Sequence, residues 1–202
     1  MKLEEMIAAV QKKLGVRVDG RPGPETWGAI YAQIVKPTVG GVPPGEAIEA
    51  VDDRSEKNIV TLLPEVQPVA RALVQKAALN GIRIKIISGL RTYAEQDELY
   101  AQGRTKPGTK VTNARGGYSN HNFGIAFDVG VFEGQKYLAD SVKYKAVGVL
   151  GTDLGLEWGG NWTSIVDQPH FQLRPAWAAD LTEKVMLADL RDRLTAGTPV
   201  FA

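Results

Sequence analysis

Ser119-Asn120-His121-Asn122-Phe123-Gly124-Ile125-Ala126-Phe127-Asp128 and, further on, Asp167-Gln168-Pro169-His170-Phe171 each pair an imidazole with a carboxylate. Ile125 to Phe132 reads as a buried strand, and in an unbroken strand His121 and Asp128, an odd number of residues apart, would face opposite sides. Gly124 can supply the break that lets them converge. Pro169 biases Gln168 away from helix, so Asp167 and His170 share no helical face but can meet through a bend that enters a second short strand.

Around these segments the chain alternates helix and strand signals. Val66, Val69, Ala70, Leu73 and Ala77 give a helix ending at Asn80-Gly81, and Ile82 to Ile86 alternates with the period of a half-buried strand. Thr92-Tyr93-Ala94-Glu95 has capping-box spacing, with Gly103 closing that helix, so Arg91 stands at a strand-to-helix corner. Residues 104 to 120 lack periodicity and read as a long exposed loop leading into His121. Ser141 to Leu150 reads as a helix, Glu157-Trp158 and His170 to Leu173 as short strands, and Leu181, Val185, Leu190 and Leu194 as the apolar face of a last helix. The predicted class is α+β: a small antiparallel sheet with flanking helices.

Towards the amino terminus, Leu3, Ile7, Val10 and Leu14 form an apolar row stopped by Gly15. After the turn at Asp19 to Gly23, Pro24 opens a second helix with Trp27, Ile30, Tyr31 and Ile34 on one face. A Pro- and Gly-rich stretch follows. The expected organisation is a helical hairpin over 1–36, a linker over 37–54 and the main domain over 55–202.

Composition narrows the chemistry. The 202 residues are 44% hydrophobic and 23% charged, an ordinary globular balance. Lys+Arg 24 against Asp+Glu 23 leaves a net charge of +1, so no global field steers the chain to nucleic acid or to an anionic membrane. No apolar run approaches the ~18 residues of a membrane span, and the first residues lack the apolar core of a signal peptide. Synthesis in the cytoplasm without a signal peptide, and no membrane insertion, are the expectations. With Cys 0, disulfides, thiolate metal sites and cysteine nucleophiles are excluded, and with His 2 any imidazole chemistry rests on His121 or His170.

Two neutral imidazoles and a carboxylate make a recognised catalytic zinc set with one position left open, whereas structural zinc sites usually close with four ligands. Such an ion would bring a bound water's pKa toward ~7, with a spare carboxylate, here Asp167, taking the proton and passing it to a leaving amine. On spacing alone the alternative stands that these are surface or hydrogen-bonded residues.

Ser119-x-His121-x-x-Gly124-x-Ala126-x-Asp128, followed by Asp167-x-x-His170 and preceded by Ser88-Gly89-Leu90-Arg91-Thr92, resembles the zinc peptidases that cut D-amino-acid-containing peptides of peptidoglycan. These are the D-alanyl-D-alanine carboxypeptidases and L-alanyl-D-glutamate endopeptidases, many phage endolysins among them. The resemblance spans about residues 55 to 175 and includes Glu95-Gln96, Leu99-Tyr100 and Gly103-Arg104-Thr105. It implies that His121, Asp128 and His170 bind one Zn2+, that Asp167 is the general base, and that Arg91 and Ser119 hold the substrate's carboxylate or carbonyl oxygens. A planar guanidinium suits the carboxylate role, with a structural ion pair as the alternative.

The Asp-x-x-His form, the short Gly-Arg-Thr loop and the Ser-Asn-His-Asn-Phe-Gly run look more like the endopeptidase branch, with a D-alanyl-D-alanine carboxypeptidase or a non-catalytic wall-binding protein as alternatives. Val10-Gln11-x-x-Leu14-Gly15, Val18-Asp19-Gly20-x-x-Gly23-Pro24-x-Thr26 and Ala29-Ile30 resemble the helical peptidoglycan-binding module attached to many cell-wall hydrolases, although that module usually has a further helix. The implied partner is peptidoglycan, the implied protein a monomeric phage endolysin acting on the wall after release.

Overall fold

Alternation over Ile82–Ile86 becomes strand β1 (Arg83–Ser88), and the apolar run beyond Gly124 becomes β2 (Ala126–Glu133), in a computed structural model that describes residues 2–23, 25–27, 29–30, 51–163 and 165–202. β3 (Lys136–Leu138), β4 (Glu157–Trp158) and β5 (His170–Gln172) complete an antiparallel sheet in the order β1-β2-β5-β4, with β3 paired to β2. The class is α+β, as the alternating signals predict. Helix α1 (Leu3–Leu14) precedes α2 (Asp53–Ile59), α3 (Gln67–Leu79), α4 (Tyr93–Ala101), α5 (Lys143–Thr152) and α6 (Glu183–Ala196). The chain divides into two compact units, Met1–Gly41 and Val42–Ala202.

In the larger unit, α3 and α5 pack over one face of the sheet. Leu73, Ile86, Phe127, Val129, Phe171, Tyr144 and Val147 are fully buried there in one apolar cluster. The odd-numbered residues of β2 point into this core and Asp128 to the other side, as the pleat requires. Gly148 and Gly151 admit the neighbouring rings: a Cβ at either would lie 2.4 Å from Trp158 or Phe171. A second cluster of Phe123, Ile125, Ala178, Met186, Leu187 and Leu190 anchors α6 beside the polar face. The expected apolar face of α6 is displaced: Val185 and Leu194 are exposed, and Met186, Leu187 and Leu190 make the contact.

α2 lies partly inside the stretch predicted as linker. Asp52 caps it by accepting from the Ser55 backbone N–H at 3.2 Å. Ser55 Oγ in turn accepts from Ile86 N, and Asn58 Nδ2 donates to Ile86 O, both at 2.9 Å, so the helix satisfies backbone groups of the edge strand beside its register shift. Residues 37–50 of the predicted linker lie outside the described residues.

In the smaller unit, α1 ends on Gly15 in the left-handed conformation, φ 68°, as its position predicts. Among the described residues of this unit the predicted apolar row is only partly covered, with Ile7 and Leu14 half-buried and Leu3 and Val10 exposed, while the polar Gln11 is buried. Gln11 Nε2 lies 2.9–3.0 Å from Asp19 Oδ1, Arg21 O and Thr26 Oγ1, while Gln11 Oε1 accepts from Asp19 N and Gly20 N. The motif residues Gln11, Asp19, Gly20 and Thr26 therefore converge on one hydrogen-bonded hub that fixes the turn. Trp27 is exposed, and the part of the second helix carrying Tyr31 and Ile34 lies outside the described residues.

Candidate metal centre and cleft

The break between His121 and Asp128 is a 3₁₀ turn, Asn120–Phe123, closed by Gly124 at φ 68°. A side chain there would be strained, so glycine is the residue that returns the chain to β2 with Asp128 turned toward His121. The turn is stapled to the Arg91 corner: Arg91 N donates to His121 O at 3.0 Å, and Asn122 Nδ2 donates to Arg91 O at 2.8 Å. Asn122 Oδ1 also accepts from Gly117 N and Ser119 N, which secures the end of the long loop.

Asp128 and His170 are register partners across β2 and β5. Asp128 Oδ1 lies 3.3 Å from His121 Nε2 and 3.5 Å from His170 Nδ1, and one ligand atom from each residue falls within 4.8 Å of the others. Both rings are buried. Their outer nitrogens meet oxygens: His121 Nδ1 lies 2.8 Å from Gly89 O, and His170 Nε2 lies 2.9 Å from Gln172 Oε1. A carbonyl oxygen only accepts, so each neutral ring carries its hydrogen outward and turns a lone pair inward. Two lone pairs and a carboxylate facing one point call for a cation between them, and this donor set fits a single divalent metal such as zinc.

Without a cation the charges respond accordingly. Burial by itself would raise the Asp128 carboxyl, but the two imidazoles outweigh it and hold it far below the usual carboxylate range. Burial would lower His170, but the Asp128 hydrogen bond and charge outweigh it and raise it. Asp167 is half-buried, and burial together with the neighbouring Asp128 charge pushes its carboxyl up. Its place is set by backbone: Asp167 N donates to Gly159 O at 3.0 Å and His170 N to Asp167 O at 3.2 Å, the bend predicted at Pro169.

Arg91 donates to Gln96 Oε1 at 2.8 Å and Ser88 Oγ at 3.0 Å, and its Nη2 lies 3.6 Å from Asp128 Oδ2. Gln96, fully buried, is itself held by Ala114 O at 2.8 Å. The guanidinium is thus aimed by a fixed amide. Arg91, Ser119 and Asp167 all line a cleft of about 1300 Å³ whose floor is His121, Asp128 and His170.

Trp158 and Trp162, which sequence patterning does not assign to the site, also line the cleft. The Trp162 ring centroid is 4.8 Å from that of His170, and Trp158 Nε1 donates to Gln168 O at 2.8 Å. Gly159 was also missed. A Cβ there would lie 2.5 Å from Asp167 O and 3.0 Å from His170 Cβ, so the wall approaches the bend only because that residue is glycine. Its signal is the Trp-Gly-Gly run, which periodicity cannot interpret.

A family model described as D-alanyl-D-alanine carboxypeptidase matches residues 112–173, from within the long loop through β5. Over 124 residues the chain is 40% identical to the peptidoglycan L-alanyl-D-glutamate endopeptidase CwlK of Bacillus subtilis, a match covering 56% of this chain and 74% of that protein. It is 31% identical over 124 residues to the L-alanyl-D-glutamate peptidase of Listeria phage A118, covering 59% of this chain and 40% of that one. Among solved structures, the L-Ala D-Glu endopeptidase ChiX of Serratia marcescens is 28% identical with a TM-score of 0.46, covering 60% of this chain and 86% of that one. The identity to CwlK over most of that protein's length, with a family model that spans both His-and-carboxylate segments, assigns the chain to the metallopeptidase family of the D-alanyl-D-alanine carboxypeptidases and L-alanyl-D-glutamate endopeptidases.

Proposed function

We propose that the chain is a zinc-dependent peptidoglycan hydrolase that cleaves the L-alanyl-D-glutamate bond of the stem peptide, in the bacteriolytic setting of a phage endolysin. The carrying observation is the paired outward hydrogen bonding of His121 and His170, which leaves two ring lone pairs and Asp128 aimed at one point on the cleft floor. The relatives that cut this bond, one of them from a phage, support the substrate and the setting. Action is then at the cell wall. Among the described residues no helix is long and apolar enough to cross a membrane.

In this reading His121, Asp128 and His170 hold the ion. When bound, it supplies Lewis acidity that polarises the scissile carbonyl and acidifies the attacking water. Asp167, raised by burial, takes the proton from that water and delivers it to the leaving amine. Arg91 grips a substrate carboxylate with two parallel hydrogen bonds, and Ser119 holds an oxygen of the same segment. The walls formed by Trp158 and Trp162 orient the peptide and exclude water. Residues 1–36 serve as a wall-binding module.

Mass spectrometry of purified peptidoglycan digested by the zinc-loaded protein tests the assignment, with a chelated control. New amino termini on D-glutamate are expected. Loss of terminal D-alanine instead would make the chain a D,D-carboxypeptidase, and no zinc-dependent product from any wall type would leave a binding protein.

A further inference from the structure

The His170 hydrogen bond to Gln172 is one link of a closed polar ring that the proposed chemistry does not use. Gln172 Nε2 donates to Glu157 Oε2 at 2.6 Å. Glu157 Oε1 accepts from Arg174 Nε, and Arg174 Nη2 donates to Glu183 Oε2 at 2.9 Å. Glu183 Oε1 accepts from Asn120 Nδ2, which also donates to Gln172 Oε1 at 2.5 Å and closes the circuit. The members come from β4, β5, the segment after β5, the start of α6 and the 3₁₀ turn beside His121.

The ring determines which way Gln172 faces. The Glu157 carboxylate only accepts, so the Gln172 amide nitrogen must point at it, and the amide oxygen is left for His170. Gln172 is 1% exposed and His170 5%, so water does not compete for either group. His170 Nε2 therefore carries the hydrogen and Nδ1 the inward lone pair. Two carboxylates against one guanidinium leave the ring with excess negative charge, which favours an N–H donated to it and a cation on the far side of the imidazole. Asn120 keeps both amide hydrogens on the ring even though its Oδ1 is buried without a partner, an arrangement that costs stability in itself.

We propose that Gln172, fixed by Glu157 and the Arg174–Glu183–Asn120 arc, is a positioning residue that sets the His170 tautomer and aims its Nδ1 at the metal. This rests on His170 being a metal ligand. Outer partners of ligating imidazoles are worth 10–100-fold in metal affinity, the scale expected here.

The test uses the whole 202-residue chain and three readouts: zinc affinity by competition with a chromophoric chelator, the apo melting temperature, and the His170 tautomer from long-range 15N–1H correlation at a pH where the ring is neutral. The chain has only two histidines, so the spectrum contains two rings. Q172M is expected to bind zinc about 10–100-fold more weakly and to lose the pure Nε2–H tautomer. The double variant E157Q/Q172E exchanges the amide and the carboxylate while keeping every hydrogen bond of the ring, and is expected to restore both. Q172M with wild-type affinity and tautomer, whatever its melting temperature, would reduce the ring to a structural brace and overturn the proposal. Should Q172M fail to fold, the exchange variant decides: restored affinity and tautomer support the proposal, and a folded exchange variant with weak zinc and mixed tautomers overturns it. Wild-type protein that takes up no zinc would instead remove the metal centre itself, and the positioning role with it.

Discussion

Asp128 and His170 sit directly opposite one another in the β2–β5 register, and His121 reaches the same carboxylate oxygen from a turn that precedes β2. Two of the three donors are thus placed by sheet geometry and one by a turn. A one-residue slip in the β2–β5 pairing would send His170 to the core face, so the apolar packing of Phe127 and Phe171 behind the sheet also guards the site.

Removing the proposed base should separate chemistry from metal binding. Asp167 is half-buried and no member of the three-residue cluster, so Asp167→Ala should keep stoichiometric zinc while turnover on a soluble stem peptide falls by about 10²–10⁴. In the wild type, activity should fall as pH drops through the Asp167 value, which burial and the Asp128 charge raise above that of a free aspartate. Near-wild-type turnover in the variant would exclude Asp167 as the base.

His121→Ala leaves two of the three donors and removes the ring whose Nδ1 is held by Gly89 O. Zinc content after dialysis, together with activity, should both collapse, because an incomplete set at a buried site does not retain the ion. Tight, stoichiometric zinc in that variant would mean that the ligand set is wrong.

Much of this arrangement is legible in the sequence because it is local. Gly124 marks the break before β2, Thr92 and Glu95 cap α4, and Gly15 ends α1, each through contacts within a few residues. The polar ring is not legible for the opposite reason: Asn120 meets Glu183 across 63 residues, and Glu157 meets Gln172 only once β4 and β5 are in register. α2 was missed because Asp53–Ile59 buries only Ser55 and Ile59, too few positions to make a period, and its reason for existing is the backbone of β1. Likewise Gln11, a residue that hydrophobic patterning assigns to the surface, is buried in the smaller unit.

Gly159 supplies a prediction that sequence patterning could not make. A methyl group there would meet Asp167 O at 2.5 Å, backbone that cannot swing aside as a side chain can. Gly159→Ala should cost about 1–3 kcal/mol of stability and move the Asp167 bend, so turnover should drop with zinc retained. A variant with unchanged melting temperature and unchanged kcat would show that the wall yields freely.

Metal removal should reveal a pH dependence with a definite sign. His170 is raised in the folded, metal-free protein, burial being outweighed by Asp128, whereas an unfolded His titrates near ~6.5. The folded state therefore holds this proton more tightly, and the stabilisation is complete below about 6.5 and lost as pH rises through the folded value. Asp128 is lowered, so its share of the same interaction is present above the unfolded carboxylate value near ~3.9 and lost on acidification. The melting temperature of chelated protein should fall as pH rises from about 6.5 through the folded His170 value, while zinc, which binds the deprotonated rings, should remove that fall. A chelated protein that becomes more stable over this interval would contradict the pairing.

The smaller unit allows its role to be tested without truncation. Its motif residues Gln11, Asp19, Gly20 and Thr26 are consumed by the internal hub, so they fix the turn and leave wall contact to the surface. Trp27 is 58% exposed in that unit and adjoins Thr26, presenting a flat apolar ring with a donor N–H, which suits an amphipathic surface such as a sugar ring. Because exposed substitutions away from packing change stability by only about 0.5 kcal/mol, Trp27→Ala should fold as the wild type does. It should pellet several-fold less with purified cell walls, while cleavage of a soluble stem peptide stays unchanged. Equal pelleting would exclude Trp27 as a wall contact and favour a structural role for the described part of residues 1–36, because the hub already accounts for the motif residues.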